Sequence, residues 1–420
     1  MMGLIYAVQG SFWPLLAVHL DSLQIAGRDR GWIFATFALG SFVMPLGAGQ
    51  LVDRLMATQR LLALIYALGS GFLIAIAMGA VTSTGGLFVL FLGYWLLTAP
   101  AYGLGTSLAL RHLAHPEREF GQVRLWGTFG WMAAGWIVSI VFVTLGSVGG
   151  GEGAYEAFWV AAVLSLLLAG YALTLPDTPP LAVGPLARSG PREAIDLLRR
   201  PGIGVFLVTA LGVSITTPFV YQVLPTYLGA LGLERRWIST TMTLGQWPEI
   251  AGLAVMPWLL RRTGYRATLA LGIGAWVVRY GTLLANPPLW VAIAGIPLHG
   301  VGIACFTVCG QMFMDSRASV HRRASAQALL VVLTSGAGCL LGSLLGGEMV
   351  HSFGADWRMV FLVPCVINVA LLTYFCAGFR SESTVVEWLV ARDAARSLRN
   401  DVVRGAVAHV GNLLTESADG

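Results

Sequence analysis

The sequence predicts an all-α membrane protein of twelve transmembrane helices, arranged as two six-helix halves. Three observations predict it. Apolar runs of about 18 residues or more, long enough to cross a bilayer as helices, recur along almost the whole chain. Only 11% of the 420 residues are charged while 56% are hydrophobic, about half the charge of an ordinary soluble domain. A polar, proline-rich stretch, LPDTPPLAVGPLARSGPREAIDLLRRPG at 175–202, falls between the sixth run and the seventh. Barrel strands are short and alternate apolar with polar residues, so runs of this length exclude a β-barrel.

Charge clusters and Gly/Pro breaks delimit each span. The first, 3–20, opens almost at Met1 with no basic segment and no small-residue cleavage site, so it reads as a helix and not as a cleavable signal. The second, 30–52, lies between Arg28–Arg30 and Asp53–Arg54, and the third, 61–81, follows Arg60. The fourth, 87–111, closes on Arg111; the fifth, 119–145, follows Arg118; the sixth, 156–175, follows a glycine-rich turn. The seventh, 204–230, starts after Pro201–Gly202, and the eighth, 237–260, is bracketed by Arg235–Arg236 and Arg261–Arg262. The ninth, 266–285, ends at Asn286–Pro287, the tenth, 289–314, at Asp315. The eleventh, 324–350, follows Arg323, and the twelfth, 357–379, stops at Arg380. The halves are then 1–175 and 204–380, with a linker at 176–203 and a tail at 381–420. Pro191 suits the start of a short surface helix in the linker. In the tail, Val386, Leu389, Val390, Ala394 and Leu398 alternate with arginines in the manner of an amphipathic surface helix.

All 26 basic side chains are arginine, and their placement orients the chain. Nineteen fall in loops on one side and in the tail, five in the opposite loops (Arg28, Arg30, Arg235, Arg236 and Arg358), and two, Arg124 and Arg279, inside spans. By the positive-inside bias both termini and the linker are cytoplasmic. The net charge of +5 is spread over these loops and predicts no nucleic-acid partner. The five cysteines lie inside apolar runs without metal-ligand or disulfide spacing. No HExxH motif and no nucleophile–His–acid set is present, and no polar loop is large enough for an extramembrane active site, so an enzyme is not expected. Trp32, Trp95 and Trp290, near span ends, suit interfacial anchors. Gly338, Gly342 and Gly346 repeat every four residues, a spacing that lets helices approach closely.

The turn after the second span reads GQLVDRLMATQR (49–60), and the turn after the eighth reads PWLLRRTGYR (257–266). Both place arginines at equivalent points of six-span units, the plan of secondary transporters whose site lies near the midplane between repeats. With Gly49, Asp53 and Arg54 in a Gly-x-x-x-Asp-Arg loop, the chain resembles the major facilitator superfamily. Four stretches, VRLWGTFGW, GQWPEI, AWVVRY and RRASAQALLVVLTSGAGCLLG, are similar in order and spacing to its nucleoside:proton symporter family. The resemblance implies the major facilitator fold and a set of site residues. Arg124, Thr128 and Trp131 match the family's fifth helix, in an i, i+4, i+7 stripe on one face, and Gln246 and Glu249 match its eighth. In the family these two helices face each other across the halves. The seventh-helix amides of the family are replaced by Pro218 and Tyr221, with Gln222 adjacent. Its tenth-helix aromatic and acid, the latter implicated in proton coupling, are replaced by Ile303 and Ala304.

The intramembrane polar residues carry weight independently of that resemblance. A guanidinium at a helix centre costs about 2.5–3.5 kcal/mol. Arg124 therefore either snorkels to the nearby loop or works, and its shared face with Thr128 and Trp131 favours work, donating to a sugar hydroxyl or base carbonyl beside a stacking ring. Glu249, about twelve residues into its span, either locks the halves in an ion pair with Arg124 or Arg279 or serves substrate and proton; intramembrane acids are functional by default. Arg279 and His299 suit structural or interfacial duty. Asp53, Arg54, Arg261 and Arg262 either only set topology or latch the halves, as a salt bridge that breaks on rocking.

These residues predict a nucleoside transporter of a bacterial inner membrane, working by alternating access. Arg124, Thr128, Trp131, Tyr221, Gln222, Gln246 and Glu249 are its expected substrate contacts, and Glu249 its candidate proton carrier. The expected partners are a nucleoside or related sugar-bearing solute and the surrounding lipid, with the protein a monomer. No cofactor or metal is expected, and a proton gradient is the candidate energy source. A sugar or glycoside carrier and a proton-independent facilitator are the alternatives within this class; a solute sensor is the alternative outside it.

Overall fold

The computed structural model describes residues 1–43, 56–114, 116–146, 153–179, 202–318, 323–354 and 356–379. Among these residues, ten helical segments are long and apolar enough to cross a membrane. One of them, 235–284, is two crossings, because Gly264 adopts φ 69° and ψ 175° in its middle and interrupts the helix. A further helix, Gly27–Val43, runs up to the edge of the described residues. The twelve crossings are α1 (Met2–Ser22), α2 (Gly27–Val43), α3 (Thr58–Ala77), α4 (Thr84–His112), α5 (Pro116–Leu145), α6 (Tyr155–Ala172), α7 (203–230), α8 (235–263), α9 (265–284), α10 (Leu289–Arg317), α11 (323–353) and α12 (Trp357–Gly378). They follow the twelve spans read from hydropathy, with ends shifted by a few residues. Gly49, Asp53 and Arg54, the surface helix at 191–200 and the tail from 380 lie outside the described residues.

Each half has an aromatic core. In the first half Phe12 of α1 stacks on Phe158 of α6 at 5.5 Å and meets Tyr94 of α4 edge-on at 5.7 Å. Trp95 belongs to the same cluster: it is 1% exposed and packs edge-on against Trp13 and Phe37 at 5.4 and 4.9 Å. The expectation that Trp95 anchors the membrane interface is corrected, since its place near a span end coincides with a face turned inward. Trp290, 72% exposed, remains free for that role. In the second half Tyr227 meets Phe361 at 5.1 Å, and Phe206, Phe313 and Phe379 form a chain at 5.3 Å spacings.

Several crossings are interrupted, and the interruptions have local causes. Proline lacks the N–H that the helix ladder needs. Pro100 accompanies the break in α4, and Pro218 and Pro225 divide α7 into Ile203–Thr216, Phe219–Gln222 and Leu224–Ala230. Backbone groups freed inside a membrane must find partners within the protein. The Tyr280 hydroxyl of α9 accordingly donates to the Thr216 carbonyl at 2.6 Å, and the Asn368 amide of α12 to the Thr216 hydroxyl at 3.0 Å. Wider, π-type turns occupy Ile303–Val308 in α10 and Val332–Gly338 in α11.

Glycines set two close helix contacts. Gly338 and Gly342 lie against the backbone of α7, where a Cβ on Gly342 would fall 2.2 Å from the Ile215 carbonyl oxygen. On the next face of α11, Gly347 meets α2: a Cβ there would lie 2.6 Å from the Gly31 Cα and 2.7 Å from the Gly27 carbonyl oxygen. The second contact joins the halves at the end of the bundle that carries few arginines. Beside it Arg28 of α2 makes a two-pronged ion pair with Glu348 of α11 at 2.7 and 2.9 Å. Arg235 of α8 donates to the Gly153 carbonyl at 2.9 Å, and deeper along α5 and α8 the Thr240 hydroxyl donates to Ser139 at 2.7 Å. A cavity of about 530 Å³ opens at this same end, lined by Asp21, Arg30, Arg235, His351 and Trp357 among others.

Candidate functional site

The candidate site is built by α5 from one half and α8 from the other. On α5, Arg124, Thr128 and Trp131 occupy successive turns. Arg124 keeps part of its surface exposed, and its guanidinium carbon sits 4.4 Å from the centre of the Tyr6 ring of α1. Thr128, 6% exposed, is buried in the packing of the half. Trp131 lies directly over α1, where a Cβ on Gly10 would come within 2.9 Å of the Trp131 Cα. Its ring meets Tyr221 of α7 edge-on at 5.9 Å, so one aromatic pair spans the two halves.

On α8 the helix tightens to a 3₁₀ turn at Thr243–Gly245, immediately before Gln246. The orientation of the Gln246 amide that satisfies its neighbours turns the nitrogen toward the Met242 and Thr243 carbonyls, at 3.2 and 2.9 Å. The Tyr221 hydroxyl bonds to the same side chain. One turn on, Glu249 lies midway along α8 and retains exposed surface. α10 presses against this point through Gly300, whose Cβ, if present, would fall 2.1 Å from the Gly245 carbonyl oxygen and 2.6 Å from the Glu249 nitrogen. Arg124 is the charge that acts on Glu249, yet no direct ion pair within 4.0 Å joins them among the described residues. The expected locking ion pair is therefore absent between these two: a gap of more than 4.0 Å is left between opposite charges, each partly exposed.

The structure corrects two further expectations and narrows a third. Gln222, placed among the substrate contacts, faces away from the gap: it is 4% exposed and donates to the Ser343 carbonyl of α11 at 3.0 Å, with Gly346 making room for its amide. The Tyr221–Gln222 segment is a single helical turn, so adjacent residues point to different neighbours. Of the structural and interfacial duties expected of Arg279, its burial fits the structural one. Arg279 is 2% exposed, donates to the Ile296 carbonyl at 3.3 Å and lies 5.9 Å from the Trp276 ring. His299 is not interfacial. It is 6% exposed and wedged between Tyr221 and Trp276, with ring centres 6.0 and 5.3 Å away. Sequence reasoning gave Tyr6 no part and His299 a peripheral one; a tyrosine in an apolar run carries no signal until the fold brings a charge to its face.

Ala304 is fully buried in the π-type segment of α10, and a Cβ on Gly252 of α8 would lie 2.7 Å from its methyl group. The position that the resemblance assigns to an acid is thus a tight helix–helix contact. Arg261 and Arg262 are exposed at the opposite end of α8 from Arg235, with Arg262 5.4 Å from the Trp258 ring. The partner residues of the expected latch, Asp53 and Arg54, are outside the described residues. Among the described residues no cluster of three His, Cys, Asp or Glu side chains is arranged for a metal.

The family model described as Nucleoside H+ symporter matches residues 1–384. The chain belongs to the nucleoside H+ symporter family. Within curated relatives of this family, the YegT protein of Escherichia coli (strain K12) is 30% identical over 96% of this chain and 98% of its own length. The xanthosine permease of the same organism is 25% identical, covering 89% of this chain and 93% of the permease. Among solved structures, a mutant of the nucleoside transporter NupG superposes with a TM-score of 0.80 at 22% identity, over 90% of this chain and 98% of that one. The likeness establishes the fold shared with this symporter family: an all-α, twelve-helix major facilitator architecture. The family's relatives and structural neighbours are transporters, and an H+ symporter family implies a proton gradient as its driving force.

Proposed function

We propose that the protein carries nucleosides across a bacterial inner membrane by alternating access of its two halves, with Glu249 as both substrate contact and proton carrier. The observation that carries this reading is the separation of Arg124 and Glu249, opposite charges from opposite halves that stay partly exposed and, among the described residues, unpaired, with Trp131 and Tyr221 meeting edge-on between the halves. A nucleoside offers a flat base with a polar edge and a ribose diol. Aromatic faces suit the base. A guanidinium suits its carbonyls and the carboxylate of Glu249 suits vicinal hydroxyls, while Gln246, 5% exposed, bonds the Tyr221 hydroxyl and so positions that ring. Thr128, 6% exposed, is not counted among the substrate contacts in this reading. The two groups that fix orientation come from opposite halves, so substrate bound between them ties the halves together and lets them rock as one occupied unit.

In this reading the arginine-rich end is cytoplasmic, by the positive-inside bias. The links among Arg28, Glu348, Arg235 and the α2–α11 glycines then close the outer side, while Arg124 and Glu249 keep exposed surface. The protein acts as a monomer in lipid, without a cofactor and without catalysis. One observation favours a second reading: Ala304 and Gly252 fill the usual place of the proton-coupling acid, which suits a proton-independent facilitator.

Uptake of labelled uridine and adenosine into proteoliposomes, with and without an inward proton gradient, separates these readings. Accumulation above equilibrium that requires the gradient is expected for symport. Equilibration indifferent to the gradient would establish the facilitator, and no nucleoside uptake under either condition would remove nucleosides as the substrate.

A further inference from the structure

We infer that Tyr6 is a positioning residue for substrate recognition: its ring holds the Arg124 guanidinium in the gap between the halves, ready for substrate. The inference rests on the reading of Arg124 as a substrate contact. An arginine side chain is long and rich in rotamers, and ordering it costs conformational entropy. Among the described residues no carboxylate lies within 4.0 Å of Arg124 to fix it. What lies against it is the face of Tyr6, 4.4 Å from the guanidinium carbon, well inside the range at which a cation is attracted to an aromatic face.

The bed for this contact is assembled from three helices. Gly127 of α5, one turn from Arg124, leaves the space in which ring and guanidinium meet. A Cβ there would lie 2.7 Å from the Tyr6 ring and 3.1 Å from an Arg124 nitrogen. Tyr6 is braced in turn by Tyr102 of α4, edge-on at 5.1 Å and 75°. The Tyr102 hydroxyl donates to the side-chain oxygen of Gln9, which is one turn along α1 from Tyr6 and 9% exposed. Tyr6 also lies in electrostatic range of both Arg124 and Glu249. The chain Gln9–Tyr102–Tyr6–Arg124 thus runs from the packed interior of the first half to the gap. Its consequence is preorganisation: the arginine is ordered before substrate arrives, so binding does not have to order it.

The test is uridine uptake by the full chain in proteoliposomes, for Tyr6→Phe, Tyr6→Leu, Arg124→Gln and the double variant, with unfolding midpoints measured alongside. Tyr6→Phe keeps the ring and is expected to hold KM within about twofold of the parent. Tyr6→Leu is expected to raise KM about 3- to 30-fold, the range of one cation–π contact, with the maximal rate unchanged. In the Arg124→Gln background Tyr6→Leu should add nothing, because its effect travels through the arginine. Gly127→Ala, which drives a methyl into the ring, should reproduce the KM rise and serves if Tyr6→Leu fails to fold. An unchanged KM in Tyr6→Leu and Gly127→Ala, beside a raised KM in Arg124→Gln, overturns the positioning role and leaves the site reading standing. Full additivity in the double variant overturns it too, by making Tyr6 a contact in its own right. If Arg124→Gln leaves KM untouched, the site reading falls and the inference with it.

Discussion

Arg279 and Glu249 are both ionisable and both inside the membrane span, but their surroundings differ. Arg279 is sealed among Trp276, Tyr280 and the start of α10, spends one nitrogen on the Ile296 carbonyl, and leaves another, Nη2, without a partner. A buried charge with so little compensation is often replaced by an apolar chain of similar length at no loss of stability. Arg279→Met is therefore expected to keep nucleoside uptake and an unchanged or higher unfolding midpoint in detergent; lost uptake in a stable variant would make Arg279 part of the transport machinery. Glu249 has exposed surface and an opposite charge across a gap. Glu249→Gln is expected to abolish the pH dependence of uptake while sparing substrate exchange, because the amide keeps its hydrogen-bonding shape but carries no proton. Loss of exchange in that variant would reduce Glu249 to a binding residue. Arg124, Gln246 and Glu249 were legible in the sequence because polar side chains in apolar runs are rare and their spacing on a helix is fixed. Tyr6, His299 and the inward turn of Gln222 were not. In a membrane span the lipid-facing and core-facing sides are both apolar, so the pattern that tells inside from outside in a soluble helix is missing.

The helices themselves were legible to within a few residues, since charge clusters and prolines mark where the chain leaves the apolar medium. Less legible was which helix faces which. The glycine row of α11 was readable as a packing device, but the sequence does not show that Gly342 serves α7 while Gly347 serves α2. The second contact is the one that joins the halves. With the Gly31 Cβ position 2.8 Å from the Ser343 carbonyl oxygen and 3.1 Å from the Gly347 Cα, no larger side chain fits while α2 and α11 are closed. Gly31→Leu is expected to pry them apart and shift the population toward the state open at the arginine-poor end. Reactivity of a cysteine introduced at Thr226, in the cavity at that end, toward an impermeant maleimide should rise severalfold. Gly71→Leu, at a position with no atom within 4 Å of an added Cβ, controls for the bulk of the new side chain and should leave reactivity unchanged. Removing the Arg28–Glu348 pair by Glu348→Gln should shift reactivity less than Gly31→Leu, because the pair is exposed, and exposed ion pairs are weak beside a steric clash.

At the scale of the molecule, two six-helix units meet through a few discrete links at one end and present opposite charges to each other deeper in. Such interfaces are bistable: their contacts are either made or broken, with little between. The architecture was readable from the count of spans and the central polar stretch, and the candidate site from polar residues on two helices that the chain places in opposite halves. The contact between Gly252 and Ala304 carries a consequence for what the carrier can achieve. In the symport reading, with the Ala304 methyl group at the position the family gives to an acid, Glu249 carries the proton, and one carboxylate moves one proton per cycle. One proton per neutral solute sets a ceiling on enrichment of about tenfold for each pH unit across the membrane. Each 100 mV of potential, worth about 2.3 kcal/mol per charge, adds roughly a further fiftyfold. A carrier with two such acids could square those ratios. In that reading the chain spends no more than one proton on a molecule, an arrangement suited to a solute abundant outside or consumed quickly once inside.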